Sequence, residues 1–144
     1  MEAKSKTENN LNQFSRNLTK FSLDQEFINL FRGKEPKWSV KEYEIYILYY
    51  ARYIVKENRK EDFWEALKRI VEECFEVQRN FYLKSELNQR NFNREDKITW
   101  DEREAQAHAQ LMFVKMWNLK SLDTIRYLLK FTETLLKISY SQII

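Results

Sequence analysis

The chain is poor in the residues that punctuate most folds. Its 144 residues include one Gly, one Pro, one Cys and one His. Hairpin turns with positive φ draw heavily on glycine. A single Gly therefore argues against an all-β barrel and against a dinucleotide-binding sheet with its glycine fingerprint. One cysteine excludes an internal disulfide framework and a paired-cysteine metal site. No apolar stretch approaches the roughly 18 residues of a membrane span; the longest is residues 45–51. Residues 1–22 contain no apolar segment of the signal-peptide kind. The expected location is the cytoplasm, or a virion assembled in a host cytoplasm. Asn17-Leu18-Thr19 matches a glycosylation acceptor, which is discounted because nothing else points to secretion.

What is present is the balance of a folded domain. Hydrophobic residues make up 43%, charged residues 33% and aromatics 15%, unlike the composition of a disordered chain. The net charge is +3, and its location matters more than its size. Residues 1–41 hold Lys4, Lys6, Arg16, Lys20, Arg32, Lys34, Lys37 and Lys41 against Glu2, Glu8, Asp24, Glu26 and Glu35. The remainder of the chain is balanced. No acid occurs between Asn9 and Leu23, where Phe14, Arg16, Lys20 and Phe21 mix aromatics with bases. Such an arm can track phosphates by counterion release. An ordinary solvated tail is the alternative.

Helix starts are marked by capping boxes, in which a Ser, Thr or Asn is followed three residues later by Glu or Gln. They occur at Ser22…Gln25, Ser39…Glu42, Asn58…Glu61 and Thr99…Glu102, with a weaker cap at Ser121 and Asp123. Together with apolar periodicity they predict five helices, at about 23–32, 40–57, 60–84, 100–118 and 122–141. Gly33 is placed to end the first, and Pro36 separates it from the second. The centre of the second helix is apolar nearly all round, and its β-branched and aromatic content also allows a strand. The third has a solvated outer face on which Glu65–Arg69 and Lys68–Glu72 are spaced to pair. Ala105, Ala107 and Ala109 in the fourth permit close packing. The fifth carries two apolar stripes, one suited to the core and one to a second subunit. The expected fold is all-α: an up-down four-helix bundle over residues 23–144, preceded by a short helix and a polar arm over 1–22.

The residues offer little catalytic chemistry. There is no glycine-rich phosphate loop, nucleophile elbow or zinc spacing. Cys74 falls on an apolar stripe and reads as a small core residue. Glu72, Glu73 and Glu76 lack the Glu-x-x-His pairs of a metal bundle and read as a solvated face. Tyr43, Tyr46, Tyr49, Tyr50 and Tyr53, with Arg52 and Lys56, could stack bases and hold phosphates. An aromatic core is the alternative. No metal, cofactor, catalytic group or small-molecule substrate is expected.

Three resemblances follow. The arm Asn12-Gln13-Phe14-Ser15-Arg16-Asn17-Leu18-Thr19-Lys20-Phe21, followed by a capped bundle, resembles the coat proteins of filamentous archaeal viruses. That likeness implies a structural, non-enzymatic subunit that self-assembles along double-stranded DNA. It would use Lys4, Lys6, Arg16, Lys20, Arg32, Lys34 and Lys37 on phosphate and the C-terminal helix for subunit contacts. Tyr49-Tyr50-Ala51-Arg52 through Ile70, with the segment from Leu128 to Tyr140, looks like the small helical subunit of type III CRISPR effector complexes. Arg103-Glu104-Ala105-Gln106-Ala107-His108 resembles the Arg…His signature of HEPN-type ribonucleases, which would give Arg103 and His108 a role at a scissile phosphate. A surface histidine hydrogen-bonded to Glu104 is the simpler reading of His108.

Overall fold

The computed structural model describes residues 20–88 and 100–119, together with Leu122, Arg126, Lys130, Thr134 and Lys137. It is mostly helical. The elements are α1 (Gln25–Asn29), α2 (Val40–Tyr49), β1 (Tyr53–Ile54), β2 (Arg59–Lys60), α3 (Phe63–Asn88) and α4 (Glu102–Trp117), with a 3-10 turn at Val55–Glu57 between the strands.

One predicted helix cap forms where expected. Ser39 Oγ accepts from the Glu42 amide at 3.2 Å and donates to the Glu42 carboxylate at 3.2 Å, so α2 starts where the sequence places it. The others shift by a residue or more. The α4 cap is Asp101, whose carboxylate accepts from the amides of Arg103 and Glu104; Thr99 lies outside the described residues. At α3 half of such a box forms one position from Glu61, where the Asp62 amide donates to Glu65 Oε1 at 3.1 Å. Ser22 caps nothing. The chain around it is extended because its polar groups are claimed by two other helices. Glu76 accepts from the Phe21 amide at 2.5 Å, Glu72 from the Leu23 amide at 3.1 Å, and Gln106 donates to the Ser22 carbonyl at 3.0 Å. Helix α1 therefore starts late and is short. Gly33 follows it with φ +75°, a backbone conformation that glycine adopts without penalty.

The second predicted helix is shorter than expected. It stops at Tyr49, and an antiparallel hairpin replaces its last two turns, pairing Tyr53 with Lys60 and Ile54 with Arg59. Two features end the helix. The run Tyr53-Ile54-Val55 favours extended backbone, and Lys60 Nζ donates to the carbonyls of Ile47 and Leu48 at 2.7 and 3.0 Å. Those carbonyls belong to the last turn, where no helical amide follows to pair them. Asn58 is the corner, in the left-handed region at φ 51°. A short polar side chain tolerates that region better than a bulky one.

Helices α3 and α4 run antiparallel. Phe63 at the start of α3 stacks on Trp117 at the end of α4, with centroids 5.7 Å apart. Arg79, deep in the second half of α3, reaches Glu102 at the start of α4 at 3.3 Å. The seam uses the small residues expected: Ala105 and Ala109 are buried, with Phe113 and Met116 one and two turns on. Much of the aromatic content goes into one packed chain. Phe31 meets Phe113 at 4.7 Å and Trp117 at 5.2 Å, and Trp38 meets Phe63 at 4.5 Å. Each such pair contributes about 0.5–1.5 kcal/mol beyond the area it buries. Short α1 and α2 close over this antiparallel pair. Of the predicted fifth helix, Leu122, Arg126, Lys130, Thr134 and Lys137 are described as helical, with Leu122 buried and the other four exposed. Apart from Leu122, which opens one of the two apolar stripes, both stripes fall outside the described residues. The expected four-helix bundle is therefore replaced, in what is described, by one long helix pair with two short helices and a hairpin. No helix among the described residues is long and apolar enough to cross a membrane.

Candidate functional site

A cleft of about 730 Å³ opens where the extended segment from Lys20 to Ser22 passes α3. One wall carries Lys20 and Arg32, and the other carries Glu61, Trp64, Glu65, Lys68, Arg69, Glu72, Glu73 and Glu76. Arg32 lies over the Trp64 ring, its guanidinium carbon 5.1 Å from the centroid. Its Nε also donates to Asn29 Oδ1 at 3.3 Å. The Trp64 indole is buried, and its Nε1 has no hydrogen-bond partner among the described residues.

Most of the cleft's acids are engaged. Glu61 pairs with Arg69 at 2.9 Å and also accepts from the Arg52 amide at 3.1 Å. Glu65 takes both guanidinium nitrogens of Arg59, at 2.6 and 3.0 Å. Burial pushes the Glu65 carboxyl up, but the hydrogen bonds from Arg59 and the Asp62 amide outweigh it, and the group sits below the usual carboxylate range. Glu72 pairs with Lys68 at 2.8 Å, as its spacing predicts. The predicted Glu65–Arg69 pair does not form. The hairpin brings Arg59 to Glu65 in a bidentate grip that a helical i,i+4 contact cannot match, and Arg69 turns to Glu61 instead.

The solvated carboxylate face expected at Glu72, Glu73 and Glu76 is half-buried, and two of its members tie down the incoming chain. Sequence reasoning assigned no such role to Glu72 and Glu76. Their four-residue spacing was a usable signal, but their acceptors' partners lie about 50 positions away. Among the described residues no three His, Cys, Asp or Glu side chains converge as a metal site would require.

The residues read as phosphate contacts are placed as follows. Lys4, Lys6 and Arg16 lie outside the described residues. Lys20 and Arg32 are brought together in the cleft, whereas Lys34 and Lys37 are exposed beyond α1 and do not line it. Lys20 also borders a second recess of about 700 Å³ along α4, with Glu102, Arg103 and Gln106. Arg103 and His108 are both exposed. Five residues apart on a helix, they point about 140° away from each other. Cys74 is half-buried, and its thiol is pushed up by burial and then by the charge of Glu73. The tyrosines divide. Tyr43, Tyr46 and Tyr50 pack on the core, while Tyr49 and Tyr53 face outward.

A family profile described as the ribonucleotide reductase alpha domain matches residues 23–132. No curated protein and no solved structure matches the chain. The family match overturns the coat-protein reading and the capsid, virion and filamentous-virus roles attached to it. It also displaces the CRISPR and HEPN alternatives. The expectation of a non-enzymatic protein falls with them, since the family is that of an enzyme. The coat-protein reading leaned on the arm, which the match leaves out, and the other two on short segments, whereas the match covers well over half of the sequence. The chain belongs to the ribonucleotide reductase alpha domain family.

Proposed function

We propose that this chain works in ribonucleotide reduction, as the helical alpha domain set beside the unit that holds the reducing thiols. The observation that carries this reading is the family match over residues 23–132. Elementary chemistry narrows it. Replacing a ribose hydroxyl by hydrogen takes up two electrons and two protons and releases water. A dithiol that closes to a disulfide supplies both electrons. The sequence contains one cysteine, half-buried and held as the thiol by its surroundings. We therefore place the reducing pair outside this sequence.

The test is recovery of the activity with the protein. Affinity-tagged chain is purified from its native cells, and the eluate is assayed for conversion of ribonucleotides to deoxyribonucleotides by chromatography. Reductase activity is expected in the tagged eluate and not in an untagged control. An eluate that forms no deoxyribonucleotide, from cells whose lysate does, refutes the proposal.

A further inference from the structure

The extended segment from Lys20 to Leu23 lies across α3 and α4 as a strap. Among the described residues, no backbone–backbone hydrogen bond joins it to another element. Side chains hold it instead. Glu76 and Glu72, one turn apart on α3, accept from the amides of Phe21 and Leu23. Amides two residues apart in extended chain face the same way. Gln106 on α4 holds the opposite edge: its side chain donates to the Ser22 carbonyl at 3.0 Å and accepts from the Asp24 amide at 2.9 Å. One amide side chain thus imitates the edge of a neighbouring strand.

The holders are themselves fixed. Lys68 pairs with Glu72 at 2.8 Å, Arg79 lies 3.9 Å from Glu76, and Gln110 donates to Gln106 Oε1 at 3.2 Å. Phe21 and Leu23 are buried, and the Phe21 ring stacks on Phe75 at 5.4 Å and meets Trp100 edge-on at 6.3 Å. The closed strap is therefore well satisfied, yet it rests on its bed along a narrow line. The cleft of about 730 Å³ lies on its α3 side and the recess of about 700 Å³ on its α4 side, and Lys20, Phe21 and Ser22 line both.

The chain changes character at Asp24. Its carbonyl accepts from the Ile28 amide at 3.1 Å, which starts α1, and Ile28 is fully buried. Phe27 and Phe31 flank it and pack on Phe113 of α4. Helix α1 is thus anchored by core packing, whereas the strap hangs on three side chains and two apolar plugs. Segments held by few contacts open without unfolding the rest of the molecule. We propose that Lys20 to Leu23 is a latch hinged at Asp24. Closed, it divides the groove between α3 and α4 into two recesses. Open, it joins them and uncovers Phe75 with the acceptors Glu72 and Glu76. This inference stands apart from the function proposed above.

Native-state hydrogen exchange of the full chain, followed by NMR at a series of low urea concentrations, tests the latch. The amides of Phe21 and Leu23 are expected to exchange at least tenfold more slowly than in unfolded chain, with one shared opening constant. They are expected to exchange at least a hundredfold faster than Leu67 and Val71 in α3. Their opening should respond little to urea, because a strap exposes far less surface than global unfolding does. Gln106→Ala removes a holder that touches neither amide, and the residue it introduces suits a helix. It is expected to speed exchange at both Phe21 and Leu23 at least fivefold and to leave Leu67 unchanged. Wild-type exchange at Phe21 and Leu23 as slow as at Leu67 overturns the latch, because the strap then leaves only with the whole fold. Absence of protection at both amides overturns it too, because no closed state then exists. Faster exchange at Asp24 alone in Gln106→Ala overturns the hinged unit, because the residues then open singly. Should that variant lose its fold, the wild-type rates and their urea dependence still decide.

Discussion

Glu61 is the residue whose removal tests most directly how the hairpin is held. Its side chain is buried, at 5% residue exposure, and it does two jobs. Oε1 lies 2.9 Å from Arg69 Nη2 and also accepts from the Arg52 amide at 3.1 Å. Truncation to alanine leaves both donors without that carboxylate. Breaking a buried ion pair costs about 3–5 kcal/mol. Arg69 keeps 21% of its side chain exposed and can turn toward water, so the cost falls below that range, at about 2 kcal/mol. The stranded Arg52 amide adds about 1 kcal/mol. Glu61→Ala is therefore expected to destabilise by about 3 kcal/mol, lowering the melting temperature by roughly 10 °C in a domain of this size. Glu61→Gln keeps an acceptor for the amide and is expected to lose only about half as much. In a double-mutant cycle, Glu61→Gln with Arg69→Met should cost clearly less than the two single changes added, because neither variant then strands a charge. Urea unfolding gives these values. Amide hydrogen exchange adds a local readout, since protection at Arg52 and Ile54 should fall more than protection at Leu67. A Glu61→Ala loss below about 1 kcal/mol, or full additivity in the cycle, would refute the claim that this pair braces the hairpin.

Two further outcomes follow from the same network. Arg59 holds the Glu65 carboxyl below the ordinary range, so the native state binds that proton more weakly than the unfolded chain does. The resulting stability is present above the unfolded carboxyl pKa and is lost as pH falls through the depressed native one, below about pH 4. Arg59→Ala should flatten that acid limb in melts taken across it, and an unchanged limb would mean that Glu65 does not depend on Arg59. Cys74 sits above the usual thiol range through burial and the Glu73 charge, so it stays protonated at neutral pH. Its reaction with an aromatic disulfide reagent should be at least tenfold slower in the native protein than in urea; equal rates would show that the site does not shield it.

The helical core was legible because its signals are local. Apolar spacing at three and four residues located α3 and α4 to within a few residues, and the small stripe at Ala105 and Ala109 marked the seam between them. Legibility ended where long-range contacts override local preference. Ser22 and Gln25 make a plausible capping box, yet Glu72 and Glu76 on α3 take the amides on either side of Ser22 and keep the chain extended. Residues 50–57 continue a helical pattern, but Lys60 closes the helix by capping it from outside. Asn58, read as a cap, is a hairpin corner instead. The cleft was least visible. Trp64 and Arg69 read as ordinary parts of an amphipathic helix, and Arg32 as one base among several. Only folding brings Arg32 onto the Trp64 ring. Lys20 was singled out for its charge, without any signal of the acidic wall that it faces.

The functional reading failed for a separate reason, which lies in how chemistry is divided within an enzyme. Absence of a catalytic constellation was taken as absence of enzymatic work, and the polar arm then supplied a structural role. That step holds only if one helical domain must carry every reacting group of the reaction it serves. Ribonucleotide reduction makes the step unsafe, because the electrons and the domain that positions the reacting unit need not share a sequence. A domain with that division of labour shows capped helices, a packed aromatic core and one shielded thiol, which are the features of any scaffold. The single cysteine thus means something different after the fold is known. It excludes a redox pair formed within this sequence, and under the proposed function that places the reducing thiols on a unit outside it.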